Sequence, residues 1–221
     1  MNGPMIVIAG AGSGKTRVLT YKIAYLMTQG VDPFNILALT FTNKAAREMK
    51  ERIANIVGDE AKNLWMGTFH SVFARILRIE AHKIGYTSNF TIYDSDDSQK
   101  LVARIIKELN LDKEQYKYKI IFSRISSMKN NFISADQYVN DEEMLLSDKI
   151  SNRPKFHQIY KQYVDRCFKA GAMDFDDLLL KTNELLNSYP DTLSKYQNIF
   201  RYILVDEYQD TNHSQYLIIR S

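Results

Sequence analysis

The chain has 221 residues, of which 45% are hydrophobic and 25% are charged, and its formal net charge is +3. These values are those of an ordinary globular protein with a hydrophobic core, and they exclude the uniformly basic field of a histone-type nucleic-acid binder. A surface that binds nucleic acid must therefore be a local arrangement of Lys and Arg. No apolar run approaches the ~20 residues of a membrane-spanning helix, so we predict no membrane partner.

Four short apolar runs predict buried parallel strands of one sheet, at residues 5–9, 36–41, 64–69 and 202–205. Near-continuous Ile, Leu and Val without alternation is what a strand covered on both faces requires. A helical pattern follows each of the first two runs, and we expect Asn43 to cap the second helix. Strand and helix alternating in this way predict a doubly wound α/β domain.

The middle of the chain has a different pattern. From about residue 72 to 191 there is almost no strand pattern but several amphipathic helices, one of which begins at Asp94 and Ser95. We therefore predict an α/β domain made of residues 1–72 and 189–221, interrupted by an inserted all-helical domain at 73–188. Because a helical run is unfinished at the last residue, we expect the chain to be part of a longer protein.

The single cysteine, Cys167, rules out an internal disulfide and favours a reducing compartment, so we expect a cytoplasmic location. Its apolar neighbours Ile159, Tyr163 and Phe168 recur at helical spacing. This spacing predicts a buried structural thiol.

A glycine-rich segment lies directly between the first predicted strand and the helix after it, which is the context of a phosphate-binding loop. Its backbone N–H groups and the helix end would supply partial positive charge to phosphates. Lys15 would reach the β and γ phosphates, and the Thr16 hydroxyl would ligate Mg²⁺. A glycine-rich turn without a ligand is the competing interpretation, but the regular flanking elements disfavour it. The eight residues of the loop are Ala9, Gly10, Ala11, Gly12, Ser13, Gly14, Lys15 and Thr16.

The last predicted strand ends in two carboxylates, Asp206 and Glu207. Asp206 would hold the Mg²⁺ that bridges the phosphates, and Glu207 would orient and deprotonate the attacking water. Two adjacent acids at a strand end can also be simply solvated charges. Their presence in one chain with the glycine-rich loop favours a nucleoside triphosphatase.

Five motifs together resemble those of UvrD/Rep/PcrA-type superfamily 1 DNA helicases, in the same order along the chain. They are AGAGSGKT at 9–16, TFTNKAA at 40–46, GTFHS at 67–71, DFDDLL at 174–179 and DEYQDTN at 206–212. The resemblance implies a P-loop, RecA-like fold that binds ATP and Mg²⁺. It also implies that Arg17 stacks on the nucleotide base and that Gln209 senses the γ-phosphate.

The same resemblance implies contacts with single-stranded DNA. Phe41, Thr42 and Asn43 are similar to the strip that grips the strand, and Thr68 and His70 to a further element for DNA contact and coupling. Aromatic stacking and polar groups directed at the backbone bind single strands without reading sequence. Phe41 is alternatively a core residue at the end of a strand, and His70 an interior histidine.

Two features of the predicted inserted domain have competing interpretations. Asp174, Asp176 and Asp177 resemble a metal cluster, but no His or Cys lies nearby, so we predict a helix start that Asp174 caps. Lys129 is either a contact to duplex DNA, as the resemblance implies, or a solvated lysine, which we favour.

The resemblance implies the N-terminal motor half of a 3′→5′ DNA helicase that acts on single strands and on single-strand/duplex junctions. The second RecA-like domain, which would follow Ser221, would complete the ATP site, so we expect little hydrolysis by this chain alone. A helicase–nuclease subunit of the AddA/RecB kind shares these motifs and stays an alternative. A nucleotide-dependent switch is disfavoured because no guanine-reading Asn-Lys-x-Asp occurs.

Overall fold

A computed structural model describes residues 3–10 and 12–221, which form two compact units. The sheet unit contains Met1–Val72 and Tyr189–Thr211, and the helical unit contains Phe73–Ser188 and Asn212–Ser221. Among the described residues, no helix has the length and apolar character needed to cross a membrane.

The first elements along the chain are α1 (Lys15–Thr28), β1 (Ile36–Thr40), α2 (Asn43–Val57), β2 (Trp65–Thr68) and α3 (Phe69–Glu80), which continues into the helical unit. The helical unit goes on with β3 (Thr91–Tyr93), α4 (Ser95–Glu108), α5 (Tyr118–Asn130), α6 (Ala135–Val139), α7 (Glu142–Ile150), α8 (Phe156–Lys169), β4 (Ala172–Asp174) and α9 (Phe175–Ser188). The last elements are α10 (Pro190–Ile199), β5 (Tyr202–Val205) and α11 (His213–Arg220).

Three parallel strands form the sheet of the first unit, in the order β2-β1-β5. All five residues of β1 are buried, as its continuous apolar sequence predicts for a central strand. Leu37 lies opposite Trp65 on one side and Ile203 on the other. Side chains of α1 and α2, among them Ile23 and Met49, are fully buried in the core beside this sheet. The carboxyl ends of β1, β2 and β5 therefore lie at one edge of the sheet.

The first predicted strand is wrong. Residues 5–9 form no strand and pair with neither β5 nor any other described strand. Ile6 is 77% exposed and Ile8 is 94% exposed, so nothing in the described structure covers this run. A parallel strand of apolar residues is stabilised by burial on both faces, and that contribution is missing here.

The helical unit has its own core, which includes Val102 of α4, Ile125 of α5 and Tyr160 of α8. Two short strands, β3 and β4, pair in parallel, an addition that the sequence did not predict. The predicted helix start at residues 94 and 95 is confirmed, because the Asp97 N–H donates to the Asp94 carboxylate at 2.8 Å.

Cys167 is buried in the core of the helical unit, as predicted. Burial raises the pKa of its thiol to about 12. The thiolate, which is the reactive form, is therefore scarce near neutral pH, and the residue serves packing.

Helix α11 belongs to the helical unit, whereas the sequence assigned residues 212–221 to the α/β domain. It lies against α9, where the buried side-chain amide of Asn183 donates to the Ser214 carbonyl and hydroxyl oxygens, both at 3.0 Å. A polar contact of this kind leaves no periodic signal in the sequence.

Lys129 is neither a solvated lysine nor a surface contact to DNA, so both interpretations of the sequence are wrong. Its side chain is buried, and Nζ lies 2.7 Å from Asp174 Oδ2 and 2.8 Å from Asp177 Oδ1. Burial alone would lower the pKa of Lys129, but the two carboxylates outweigh it and hold the pKa above its ordinary value. Tyr163 donates its hydroxyl proton to the same Asp174 oxygen at 2.7 Å.

Asp174 begins α9 as predicted. The Asp177 N–H donates to Asp174 Oδ1 at 2.8 Å, and the Asp174 N–H donates to Asp177 Oδ2 at 3.2 Å. Among the described residues, no group of three or more His, Cys, Asp or Glu could hold a metal ion. Asp174 and Asp177 therefore start a helix and also compensate a buried lysine.

We predict that Lys129→Met lowers the free energy of unfolding of this chain at pH 7 by about 3–5 kcal/mol, because it leaves two buried carboxylates without a cation. Their pKa values would then be raised, so the folded variant would take up a proton as the pH falls, and its deficit should be smaller at pH 5. Urea unfolding at both pH values measures this. Lys119→Met, an exposed change in the same helix, is the control. Equal effects of the two changes would contradict the prediction.

Candidate nucleotide-binding site

The glycine-rich loop curls into the amino end of α1. Gly12 has φ 75° and Gly14 has φ 92°, conformations that favour glycine. Ser13 turns back on the loop, donating its N–H at 3.2 Å and its hydroxyl at 2.5 Å to the Gly10 carbonyl. The Val18 N–H donates to the Gly14 carbonyl at 3.0 Å, so Gly14 is the N-cap residue that immediately precedes α1. The first N–H groups of α1 therefore face the loop and suit an anion.

Ala9 and Gly10 lead into the loop; Ala9 is half-buried and Gly10 is exposed. Ala11, which the sequence also assigned to the phosphate cradle, lies outside the described residues. Arg17 is exposed on the first turn of α1, and its guanidinium carbon lies 5.6 Å from the centroid of the Tyr21 ring.

Thr16 and Asp206 approach each other closely. The Thr16 hydroxyl donates to Asp206 Oδ2 at 3.2 Å, and Asp206 is buried. The Asp206 N–H donates to the Leu39 carbonyl at 2.9 Å, which extends the ladder between β5 and β1 by one residue. One carboxylate and one hydroxyl fit Mg²⁺, which takes few protein ligands and keeps most of its waters or phosphate oxygens.

Lys15 and Glu207 form an ion pair, with Nζ 3.2 Å from Oε2. The Gln209 side-chain amide donates to the same Glu207 oxygen at 2.6 Å. The hydrogen bond from Gln209 and then the Lys15 cation hold the pKa of the Glu207 carboxyl below its ordinary value. Glu207 is therefore a fully ionised carboxylate near neutral pH.

Glu207 also has an uncommon backbone conformation, with φ 49° and ψ 47°. A residue other than glycine in this left-handed region is strained, and the surrounding structure must hold it there. Residues Tyr208–Asp210 follow as one short 3₁₀ turn, in which the Asp210 N–H donates to the Glu207 carbonyl at 2.9 Å. The two acids thus lie on the sheet edge with Gln209 folded back toward Glu207.

Three of the DNA-contact residues predicted from the sequence follow β1. The half-buried ring of Phe41 lies 5.5 Å from the buried ring of Phe69. Thr42 and Asn43 are exposed. The prediction that Asn43 caps α2 is wrong, because the Ala45 N–H donates to the Thr42 hydroxyl at 3.1 Å. Thr42 has the extended backbone that a cap requires, whereas Asn43 is already helical.

Thr68 ends β2 and is buried. Its hydroxyl accepts the Ser71 N–H at 3.2 Å, so it orders the turn into α3, while His70 is half-buried in the first turn of that helix. Sequence reasoning gave no role to Gly67 or Ser71. A Cβ on Gly67 would lie 2.5 Å from the Ser71 hydroxyl oxygen, so a larger residue does not fit there. The hydrogen bond between Thr68 and Ser71 could have been predicted, because a Thr followed by a Ser three residues later often forms such a local bond.

A parallel sheet packed against helices, with a glycine-rich loop opening the first helix, defines a RecA-like α/β fold. The family model described as the UvrD/REP helicase N-terminal domain matches residues 1–221, and the chain belongs to that family. The resemblance inferred from the five motifs is thereby confirmed.

Relatives with this similarity include two proteins named ATP-dependent DNA helicase PcrA. The one from Staphylococcus epidermidis is 44% identical over 219 residues, and the one from Staphylococcus aureus is 43% identical over 219 residues. The alignment covers 99% of this chain and 29% of each relative. The chain therefore spans less than a third of the length of these curated relatives.

We predict that Gly14→Ala destabilises the chain by roughly 1–2 kcal/mol, because an L-residue is strained at its φ of 92°. A Cβ added at Gly14 would clash with nothing, because its nearest neighbour would be the Arg17 Cβ at 3.8 Å. Backbone strain would therefore be the cause of the lost stability. Gly10→Ala is the matched control, since an added Cβ there meets nothing within 4 Å. Urea unfolding compares the two variants. Equal stabilities would show that the loop relaxes at no cost.

Proposed function

We propose that this chain is the ATP-binding motor part of an ATP-dependent 3′→5′ DNA helicase, in which hydrolysis of Mg-ATP drives translocation on single-stranded DNA and unwinding of duplex. One observation carries the proposal. The loop side chains Lys15 and Thr16 converge on the acids Glu207 and Asp206, at 3.2 Å in each pair. Membership of a helicase family favours a motor over a nucleotide-dependent switch.

The triphosphate of ATP would lie in the loop at 9–16, where the N–H groups of Gly12 and Gly14 and the end of α1 supply positive potential. Lys15 would exchange Glu207 for the β and γ phosphates. Thr16 and Asp206 would hold Mg²⁺, which neutralises charge on the phosphates when bound. Arg17, exposed on the first turn, has the reach of a side chain that stacks on the base.

Glu207 would accept the proton of the attacking water. Its lowered pKa keeps it ionised, so its capacity as a base is lost only as the pH falls through that lowered value. Gln209 already donates to Glu207, and this contact supports a role for its amide close to the attacking water and the γ-phosphate. We assign Gln209 the role of aligning Glu207 and sensing the γ-phosphate.

Single-stranded DNA would cross the carboxyl edge of the sheet. Phe41, Thr42 and Asn43 follow β1 there, and Thr68 and His70 follow β2. The half-buried Phe41 ring lies 5.5 Å from the Phe69 ring, and its exposed part would stack on a base. In the full-length protein these contacts would also serve single-strand/duplex junctions.

The remaining domains of the full-length protein would complete the ATP site. Charge develops on the γ-phosphate in the transition state, and an arginine that neutralises it contributes about 10³–10⁵ in rate. We assign those arginines to the second RecA-like domain, so this chain alone should bind Mg-ATP weakly and hydrolyse it poorly. A DNA substrate and a buried free thiol fit a cytoplasmic location.

We predict that Glu207→Gln lowers ATP turnover of the full-length protein by at least about 10²-fold while nucleotide binding persists, because the general base is lost. In this chain alone the same change should alter the low turnover very little. A steady-state ATPase assay with and without single-stranded DNA measures both. Brisk DNA-stimulated turnover by this chain, lost in its Glu207→Gln variant, would show that the site needs no second domain.

Lys15→Ala is the companion change, and it should abolish nucleotide binding in both proteins. Lys22→Ala, on the same helix, is its matched control and should bind nucleotide as the unchanged protein does. Titration with a fluorescent ATP analogue measures the nucleotide affinity of both variants. If Lys15→Ala still bound nucleotide, the proposal that the loop binds the triphosphate would be contradicted.

We predict that Phe41→Ala weakens binding of a single-stranded oligonucleotide to the full-length protein by about 1–3 kcal/mol, the usual loss of one base–aromatic stack. Phe34→Ala is the matched control, because Phe34 is 48% exposed at the opposite end of β1. Fluorescence titration at two salt concentrations measures affinity and its electrostatic share. Unchanged affinity of Phe41→Ala, with a lowered melting temperature, would mean that Phe41 serves only to pack on Phe69.

A further inference from the structure

Arg17 lies on the first turn of α1, directly after the phosphate loop, and this placement is electrostatically unfavourable. The amino end of a helix carries partial positive charge, so a cation in the first turn is repelled. Lys15, on the same turn, is compensated by Glu207 at 3.2 Å. Among the described residues, no carboxylate forms an ion pair with Arg17. A cation kept at this position without a compensating acid points to a role other than stability.

The Arg17 side chain lies against the ring of Tyr21. The guanidinium carbon is 5.6 Å from the centroid of that ring, within the roughly 6 Å of a cation–π contact. Helical geometry explains the pair, because residues four apart are neighbours on a helix surface and side chains lean toward the amino end. Tyr21 therefore leans back toward the turn that contains Arg17 and follows the loop.

Packing does not account for the aromatic ring at position 21. The side chains through which α1 joins the described core beside the sheet include Ile23, Leu26 and Met27. Tyr21 is 53% exposed. Since two residues along a helix correspond to a turn of about 200°, Tyr21 and Ile23 lie on opposite faces of α1. The ring is thus presented on the outer face, where its described contact is with the guanidinium of Arg17.

The chemistry of arginine gives this contact a use at a nucleotide site. A guanidinium is planar and stacks on aromatic rings, so it has one face for Tyr21 and one for a base. In the proposed function, Arg17 stacks on the base of the nucleotide. A free arginine has many rotamers, and fixing it when a ligand binds opposes affinity. An arginine that already lies on a ring has less of this freedom to lose.

We propose that Tyr21 is a positioning residue for the nucleotide base: its ring orients the Arg17 guanidinium before the nucleotide binds. This inference rests on the proposed function. Stacking uses the face of a base and not its edges. The contribution of Tyr21 is therefore similar for adenine and guanine nucleotides, and it is absent for a polyphosphate without a base.

Tyr21→Leu in the full-length protein tests this role, since leucine suits a helix and removes the ring. We expect the dissociation constant for ATP, and equally that for GTP, to rise about two- to fivefold, which corresponds to the energy of one exposed cation–π contact. The dissociation constant for inorganic tripolyphosphate should stay the same, because the phosphate loop is intact. Calorimetric titration with each of the three ligands, in the presence of Mg²⁺, measures these constants.

Two further variants control for the loss of an exposed side chain. Tyr21→Phe keeps the ring and should bind ATP as the unchanged protein does, because a cation–π contact does not need the hydroxyl. Tyr25→Leu removes a pair of the same kind, since Lys22 Nζ lies 5.5 Å from the centroid of the Tyr25 ring and Tyr25 is 56% exposed. Tyr25 is about 6 Å further along the helix from the loop. Its loss should leave ATP affinity unchanged.

A double variant shows whether Tyr21 acts through Arg17. Once Arg17→Ala has removed the guanidinium, adding Tyr21→Leu should weaken ATP binding no further. A further loss would mean that the Tyr21 ring contacts the base itself, and it would overturn the proposal. The proposal would also be overturned by unchanged ATP affinity in Tyr21→Leu, or by an equal loss for ATP and tripolyphosphate, which would give Tyr21 a role in the fold of the loop.

Lys15→Ala separates this inference from the proposed function. If the unchanged protein shows no ATP binding that Lys15→Ala abolishes, the proposed function itself fails. If such binding is present and Tyr21→Leu binds ATP as tightly as the unchanged protein, only the positioning role of Tyr21 fails.

Discussion

Strand β5 pairs in parallel with β1, and the Asp206 N–H adds one more bond to that ladder at the Leu39 carbonyl. This pairing brings a residue near the end of the chain to within hydrogen-bonding distance of Thr16, 190 positions earlier. The acids, the phosphate loop and the residues that follow β1 all owe their proximity to it. The apolar continuity of β1, buried along its whole length, makes the pairing stable.

In the helical unit, the arrangement of the neighbouring helices depends on the buried Lys129, as the sheet unit depends on the pairing of β5 with β1. Two carboxylates and the Tyr163 ring, 4.9 Å from Nζ, surround it. Such a group contributes little net stability compared with an apolar core, but each member is costly to remove alone. Its geometry fixes α5 against α9 with a directional precision that apolar packing does not impose.

Periodicity and local chemistry in the sequence predicted β1, β5, the start of α4 and the buried Cys167. Each of these depends on neighbours in the chain. The strand at 5–9 was predicted wrongly because its burial depends on elements elsewhere. Lys129 was misassigned because its partners lie 45 and 48 positions away and nothing near it marks it as buried. The hydrogen bond that the Asn212 side-chain amide donates to Asn130 Oδ1 spans 82 positions, and the sequence did not predict it for the same reason.

The Lys15–Glu207 pair shows how electrostatics and exposure together favour nucleotide chemistry at this site. Both side chains are partly exposed, at 29% and 37%, and ion pairs of this kind contribute little because water screens them. In the proposed function, a triphosphate carries several charges and would accept from N–H groups of the loop as well, so it would compete with Glu207 for Lys15 on favourable terms. Glu207 then keeps the Gln209 amide as a partner. The carboxylate would thus be released from the lysine while still held in one orientation, which is what the proposed general base for water requires.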